Sequence, residues 1–181
     1  PGSYLTHRQL GQVLPEGFGP ICHPFEVCPV PQELIDGSGP DWKAYGETVA
    51  DLAREAEIRM AHPAFIPWSR KAHELRLHAA EQGLESPMHE EIFSAHFQEG
   101  ADIGRIDILV AAAERVGLDA SDFFAACDDP EIKARLRANT DEVIARGGFG
   151  SPTIFVDGDD MYFGNDRLGL LADALRNTGL Q

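Results

Sequence analysis

The segment around Ser151 and Pro152 contains the residues whose chemistry is easiest to recognise. Gly150-Ser151-Pro152 precedes the apolar run 153–156, a break at Asp157-Gly158 and a second apolar run, 161–163. This order predicts a loop, a strand, a tight turn and a second strand. A cis X-Pro bond turns the main-chain N–H and C=O of the preceding residue outward, where they can pair with a peptide-like ligand. We therefore predict a cis Ser151–Pro152 bond and binding through the main chain of Ser151, with an ordinary trans loop as the alternative.

Asn165 and Asp166 stand at the predicted start of the last helix, whose apolar positions are Leu168, Leu171 and Leu175. Main-chain N–H groups and the positive end of a helix can hold a carboxylate, and the Asp166 side chain can pair with an ammonium group. An Asn N-cap followed by an acidic first turn explains the same two residues without any ligand. Both interpretations follow from the local sequence.

The ending Gly164-Asn165-Asp166-Arg167-Leu168 and the Ser151-Pro152 segment resemble the 2-hydroxychromene-2-carboxylate isomerases and kappa-class glutathione transferases of the DsbA superfamily. Pro1-Gly2-Ser3-Tyr4-Leu5 is similar to the end of the Ser-Pro-x-Ser-Tyr-Leu segment that opens their first helix. Residues 133–140 look like the long helix before their cis-proline loop. The resemblance implies an α/β, thioredoxin-like fold with a large helical insertion, as in DsbA. It also implies glutathione as cofactor, bound by Ser151, Pro152, Asn165 and Asp166.

Ser3 is the candidate catalytic residue within the sequence, and the resemblance places the main reactive residue directly before Pro1. Ser3 aligns with the second cysteine of a dithiol motif, and a hydroxyl cannot form the internal disulfide of two-cysteine chemistry. The preceding residue would be a Ser that donates to a glutathione thiolate or a single Cys of low pKa. Ser3 also fits a simple capping role. Because the first strand of a thioredoxin sheet lies at its centre, we expect an N-terminal strand ahead of Pro1.

Periodicity and capping signals divide the chain into two predicted domains, a thioredoxin-like domain of residues 1–30 and 147–181 and a helical insertion of residues 31–146. A helix is predicted at 4–14 and a strand at 21–27, in one sheet with the strands at 153–156 and 161–163. Ser69, Ser86, Asp119 and Asp129 are candidate N-caps, and Gly83, Gly117 and Gly147 are candidate helix stops. The helices predicted in the insertion are 41–58, 70–82, 87–97, 105–116, 120–127 and 130–146.

Composition limits the classes of partner. The 181 residues carry a formal net charge of −15, so nucleic acid and anionic membrane surfaces would repel the protein on average. Cys22, Cys28 and Cys127 lack Cys-x-x-Cys spacing, which favours reduced thiols and a cytoplasmic location over a disulfide framework. Their spacing and the scattered histidines do not match a metal site. No apolar stretch approaches the roughly 18 residues of a membrane span.

The preferred interpretation is a glutathione-dependent enzyme that isomerises or conjugates a small hydrophobic or aromatic electrophile. One alternative is a DsbA-like thiol–disulfide oxidoreductase with a single cysteine. The other is a non-catalytic binding module with a thioredoxin fold. The residue before Pro1 separates the three. Enzymes of the resembling families are often dimers, so a homodimer is one candidate assembly, and the sequence leaves the oligomeric state open.

Overall fold

The computed structural model describes residues 1–17, 19–27, 39–61, 65–156, 158 and 160–177. The chain divides into two compact units, one of Pro1–His23 with Asp141–Gln181 and one of Pro24–Thr140. In chain order, the helices and strands are α1 Gly2–Leu10, α2 Pro40–Glu55, α3 Arg70–Glu81, α4 Glu85–Phe97, α5 Ile106–Arg115, α6 Ala120–Asp128, α7 Pro130–Ala145, β1 Thr153–Val156, β2 Asp160–Phe163, a 3-10 turn Asn165–Arg167, and α8 Leu168–Asn177.

The unit of residues 24–140 is built on an apolar core shared by α3, α4, α5 and α6. Leu75, Met88 and Leu109 are completely buried there, and Phe123 packs among them. On α5 the buried positions are Leu109, Ala112 and Ala113, which repeat at the three- and four-residue intervals of one helix face. The described residues of this unit form no strand of five or more residues, as the helical periodicity predicts.

Local capping signals account for several helix ends, namely the starts of α6 and α7 and the ends of α3, α5 and α7. The Asp119 carboxylate accepts a hydrogen bond from the main-chain N–H of Ser121 at 2.7 Å. The Asp122 carboxylate accepts one from Asp119 N at 2.8 Å, and the two residues form a capping box at the start of α6. Asp129 accepts from Glu131 N at 2.7 Å. Gly83, Gly117 and Gly147 have positive φ after their helices, as predicted.

One predicted N-cap, Ser86, is wrong, and a second, Ser69, lacks the predicted hydrogen bond. Ser86 lies inside α4, which begins at Glu85, because a proline in the first turn, here Pro87, removes no helical hydrogen bond and lets the helix start earlier. Ser69 occupies the N-cap position of α3, as predicted, but its side chain makes no capping hydrogen bond, and its Oγ lies 3.2 Å from His73 Nε2 instead.

In the other unit, β1 and β2 form an antiparallel pair with Thr153 opposite Phe163 and Val156 opposite Asp160. The sheet packs on a small core of Leu10, Val156, Leu171 and Leu175. The predicted apolar face of the last helix is confirmed, since Leu168 packs against the same cluster as Leu171 and Leu175. α1 is shorter than predicted, because residues 11–14 continue it only as turns.

The predicted strand at 21–27 is wrong. A strand needs a neighbour to pair its main-chain groups, and the two strands that the structure describes pair with each other. Near the end of this segment, Asn139 Nδ2 donates to Pro24 O at 3.0 Å and Glu26 N donates to Thr140 Oγ1 at 3.1 Å. These two main-chain groups are therefore paired with side chains of α7 rather than with a neighbouring strand. Residues 28–38, which include Cys28, lie outside the described residues, and the strand expected before Pro1 stays a prediction.

Within the described part of the chain, every helix is too short or too polar to cross a bilayer.

Buried ionisable groups are concentrated in the unit of residues 24–140. Burial lowers the pKa of His73 to about 4, and the neighbouring charge of Arg76 acts in the same direction. Burial also lowers the pKa of His96, whose Nδ1 lies 3.0 Å from Ala101 O. Burial raises the pKa of the Glu74 carboxyl group. The unit therefore holds neutral imidazoles in its interior at neutral pH.

The low pKa of His73 predicts a pH-dependent loss of stability. The pKa of this imidazole is about 4 in the folded protein and 6.5 for an unperturbed histidine. The stability that depends on the neutral imidazole is therefore fully present above pH 6.5 and declines as the pH falls toward 4. Between these two pH values the unfolded chain binds a proton that the folded protein does not. The free energy of unfolding therefore falls by about 1.4 kcal/mol per pH unit and by about 3 kcal/mol over the whole interval. Urea unfolding of wild type and His73→Gln from pH 7 to pH 4 measures this, and the variant should lose correspondingly less stability. Parallel pH profiles for the two proteins would contradict the prediction.

Candidate functional site

The first turn of α1 and the loop before β1 meet through two hydroxyl groups. Ser3 Oγ and Ser151 Oγ lie 2.8 Å apart, and either can donate the hydrogen bond. Ser3 lies in the first turn of α1, where the main-chain N–H groups of Tyr4 and Leu5 donate to Pro1 O. Both hydroxyls are accessible to solvent. The structure thus brings together two predicted site residues that are 148 positions apart, and it does so through side chains.

Pro152 lies against the same end of α1. The Ser151–Pro152 peptide bond is cis, the isomer that the sequence predicts. A methyl group at Gly2 would touch Pro152 Cδ at 3.6 Å, an ordinary contact distance. Pro152 O accepts a hydrogen bond from Gly164 N at 3.1 Å, which joins the proline loop to the end of β2.

The Asn165 side chain ties the last helix back to α1. Its Nδ2 donates to Gln9 Oε1 at 2.6 Å. The alternative interpretation of Asn165 as an N-cap does not hold, since Gly164 occupies the position before the 3-10 turn and the Asn165 amide donates to Gln9. The sequence analysis did not single out Gln9, because no local pattern relates it to a residue 156 positions away. Together, α1, the proline loop and the 3-10 turn form a closed ring of contacts.

Asp166 lies at the edge of this ring. Its side chain is 74% exposed, and Oδ2 lies 3.4 Å from Arg167 Nε. An exposed pair of this kind contributes little to stability, so the carboxylate can exchange its partner at small cost. A methyl group at Gly164 would come within 2.8 Å of Asp166 Oδ1, and the φ of Gly164 is 91°. Glycine at this position therefore lets the Asp166 carboxylate lie close to the main chain.

Two phenylalanines flank the loop before Ser151. The rings of Phe149 and Phe163 lie with centroids 4.4 Å apart and planes tilted by 42°. A methyl group at Gly150 would come within 2.7 Å of Phe163 Cε2, so this ring packs directly on the main chain next to Ser151. The sequence analysis missed both aromatic residues as site candidates. The available signal was Gly150, since a glycine often marks a close approach.

Two other kinds of chemistry, a reactive Cys127 thiol and a metal site, find little support among the residues that the structure describes. Burial, followed by the charge of Glu74, raises the pKa of Cys127 to about 11, and a thiol is a poor nucleophile when so little thiolate is present. In the described ranges, no group of three or more His, Cys, Asp or Glu side chains is arranged to hold a metal ion.

This arrangement, in which a cis-proline loop adjoins the first turn of a helix, agrees with the comparison to known families. The sequence profile of the DSBA-like thioredoxin domain matches residues 32–176. The chain belongs to the DsbA-like thioredoxin-domain family. Its thioredoxin-like fold with a large helical part, as the sequence predicts, is thereby established.

Two curated relatives illustrate the range of this family. The chain is 32% identical to the uncharacterized protein YwbO of Bacillus subtilis over 109 residues. This match covers 58% of this chain and 54% of the relative. It is 36% identical to a 2-hydroxychromene-2-carboxylate isomerase of Pseudomonas putida over 86 residues. This match covers 46% of this chain and 41% of the relative. The chain thus spans about half the length or less of these relatives.

Solved structures match over a larger share of the chain. A 2-hydroxychromene-2-carboxylate isomerase superposes with a TM-score of 0.80 at 23% identity, covering all of this chain and 94% of the other. A probable DsbA oxidoreductase of Streptomyces coelicolor superposes with a TM-score of 0.84 at 19% identity, covering 98% and 84%. At these identities the superpositions establish the fold alone.

The contact between Gly150 and Phe163 predicts a coupled effect on stability. Gly150→Ala places a methyl group 2.7 Å from the Phe163 ring, which must shift. Overpacking of this kind costs about 1–3 kcal/mol, and the lower end applies because the ring is partly exposed. In a Phe163→Ala background the same Gly150→Ala change should cost almost nothing. Denaturant unfolding of the four proteins in this cycle gives the coupling, and an equal cost in both backgrounds would show that the ring is not the obstacle.

Proposed function

We propose that the protein is a glutathione-dependent enzyme that isomerises or conjugates a small hydrophobic or aromatic electrophile; relatives named 2-hydroxychromene-2-carboxylate isomerase support the isomerase part of this proposal. The observation that carries the proposal is the hydroxyl pair of Ser3 and Ser151, 2.8 Å apart beside Pro152. The Pro152–Gly164 hydrogen bond connects this pair to the polar turn that contains Asn165 and Asp166. A thiol ligand with a charged end would meet both parts of the site.

Glutathione matches this distribution of groups. Its cysteinyl main chain would pair with the N–H and C=O of Ser151, while the sulfur lies toward the first turn of α1. Its γ-glutamyl end carries a carboxylate and an ammonium group. The carboxylate would lie at the positive end of the 3-10 turn and α8, and the ammonium would pair with Asp166. Asn165 would act indirectly, by holding this turn against α1 through Gln9.

The two hydroxyls suit the stabilisation of a thiolate. A serine hydroxyl has one proton to donate, so the hydrogen bond between Ser3 and Ser151 uses one of two O–H donors and leaves the other available. A hydrogen bond to the charged form lowers the pKa of a thiol. The site would thus hold the bound thiol as its nucleophilic form near neutral pH.

Isomerisation by the bound thiolate needs no other reagent. The thiolate adds to a conjugated double bond, so that a C–S bond forms and the π electrons move into the adjoining carbonyl group. The former double bond rotates as a single bond. Return of the electron pair expels the thiolate and restores the double bond in its new geometry, with glutathione unchanged. In conjugation, the adduct takes up a proton or loses a leaving group and the C–S bond remains.

Thiol–disulfide exchange is the second candidate, because a structure with the same fold is described as a probable DsbA oxidoreductase. The Ser3 hydroxyl argues against the two-cysteine form of that chemistry, since oxygen cannot replace sulfur in a disulfide. The exchange would then require a sulfur from the ligand or from another residue.

Asp166→Asn tests the proposed ammonium contact. The change removes the charge but keeps the size of an exposed side chain, so thermal unfolding should be almost unaffected. The dissociation constant for glutathione should rise about tenfold, the lower end for a charge-assisted hydrogen bond at an exposed site. Calorimetric titration measures it. The dipeptide Cys-Gly, which lacks the γ-glutamyl group, should bind wild type and variant equally.

Asp173→Asn is the matched control, because Asp173 is a similarly exposed acid of α8 that pairs with Arg176. It should bind glutathione like wild type. If wild type does not bind millimolar glutathione, or if Asp166→Asn binds it as tightly as wild type does, the proposed site is wrong.

Ser151→Ala and Ser3→Ala test the role of the hydroxyl pair. Loss of a hydrogen bond to a thiolate should raise the pH midpoint of the bound thiol by about one to two units. The ultraviolet absorbance of the thiolate, titrated in the glutathione complex, reports this midpoint. Ser94→Ala, which removes a hydroxyl of α4, serves as the control. Each single variant keeps one O–H donor, so the double variant Ser3→Ala/Ser151→Ala decides, and an unchanged midpoint in the double variant would exclude the hydroxyls as thiolate donors.

A further inference from the structure

The aromatic pair Phe149 and Phe163 lies outside the proposed contacts with glutathione. Phe149 is 69% exposed and Phe163 is 36% exposed, although their rings touch at a centroid distance of 4.4 Å. A single exposed phenylalanine needs no explanation. Here two rings are in contact, and the Phe163 ring packs on the main chain of Gly150, the residue directly before Ser151, so they form an apolar surface next to the residue that carries one of the two hydroxyls.

The local sequence holds this surface in place. Phe163 is opposite Thr153 in the register of β1 and β2, so its main chain is fixed at the end of the sheet that leads to Pro152. Gly150 allows the Phe163 ring to lie on the main chain, because any β-carbon there would collide with it. Phe149 then leans on Phe163 at 42°, which leaves most of the Phe149 ring accessible.

We infer that Phe149 and Phe163 form the subsite that holds the aromatic ring of the electrophile beside the thiol. This inference rests on the proposed function, and it assigns the choice of substrate to two residues outside the glutathione contacts. A planar ring stacked on Phe149 would gain dispersion and offset-stacking energy. The carbon to be attacked would lie within reach of a sulfur held by Ser3 and Ser151, and the two rings would keep water away from one side of it.

S-benzylglutathione and S-methylglutathione test the subsite directly, because they share every glutathione group and differ in the ring. In wild type the benzyl derivative should bind about tenfold more tightly than the methyl derivative, as measured by calorimetry. In Phe149→Ala this preference should fall to about threefold or less, with the affinity for S-methylglutathione unchanged. Phe163→Ala should have the same effect, and Phe163→Leu, which keeps the apolar contact with Gly150, is used if the alanine variant unfolds.

Phe124→Ala is the matched control, since Phe124 of α6 is 51% exposed and also adjoins a second phenylalanine, Phe123. It should keep the tenfold preference. If both derivatives bind but the preference survives in the Phe149 and Phe163 variants, the subsite is wrong and the glutathione site stands. If neither derivative binds wild type, both proposals fail. If the preference survives while sedimentation shows that the variants lose a dimer present in wild type, the surface belongs to a second copy and the subsite is overturned.

Discussion

A main-chain hydrogen bond, from Gly164 N to Pro152 O, is the constraint on which the candidate site depends. β1 and β2 are paired with Thr153 opposite Phe163, so Pro152 and Gly164 are the next partners in the same register. The bond therefore extends a sheet whose strands have only four residues each. As a result, the proline loop and the turn before α8 leave the sheet at the same end, and every other contact of the site follows from that placement.

Small residues on both sides of this bond determine what the site can recognise. A β-carbon at Gly150 would meet the Phe163 ring at 2.7 Å, and Gly164 has a φ of 91°, a conformation that residues with a side chain rarely adopt. Side chains are thus short where the two segments meet α1. A ligand that approaches there finds hydroxyls, a proline ring and main-chain groups, which can bind the backbone of a peptide without selecting its side chain.

The sequence predicts the parts of this structure that are determined by near neighbours. The helices of the insertion agree to within a few residues, because capping groups such as Asp119 and the apolar period act within one or two turns. The strand predicted at 21–27 fails for the opposite reason, since a strand is stabilised by a partner that its own sequence does not contain. The contacts Ser3–Ser151 and Asn165–Gln9 join residues about 150 positions apart, so spacing alone could not have indicated them.

The proton count at the hydroxyl pair limits the chemistry further. Ser3 and Ser151 have two O–H donors, and their mutual hydrogen bond leaves one for a ligand. One donor stabilises one anion, and neither oxygen can exchange electrons with a disulfide. In the proposed function, therefore, the sulfur comes from the bound thiol and the protein controls its charge and position. Such a division leaves the choice of electrophile to the surface next to the sulfur, where Phe149 and Phe163 lie beside Gly150.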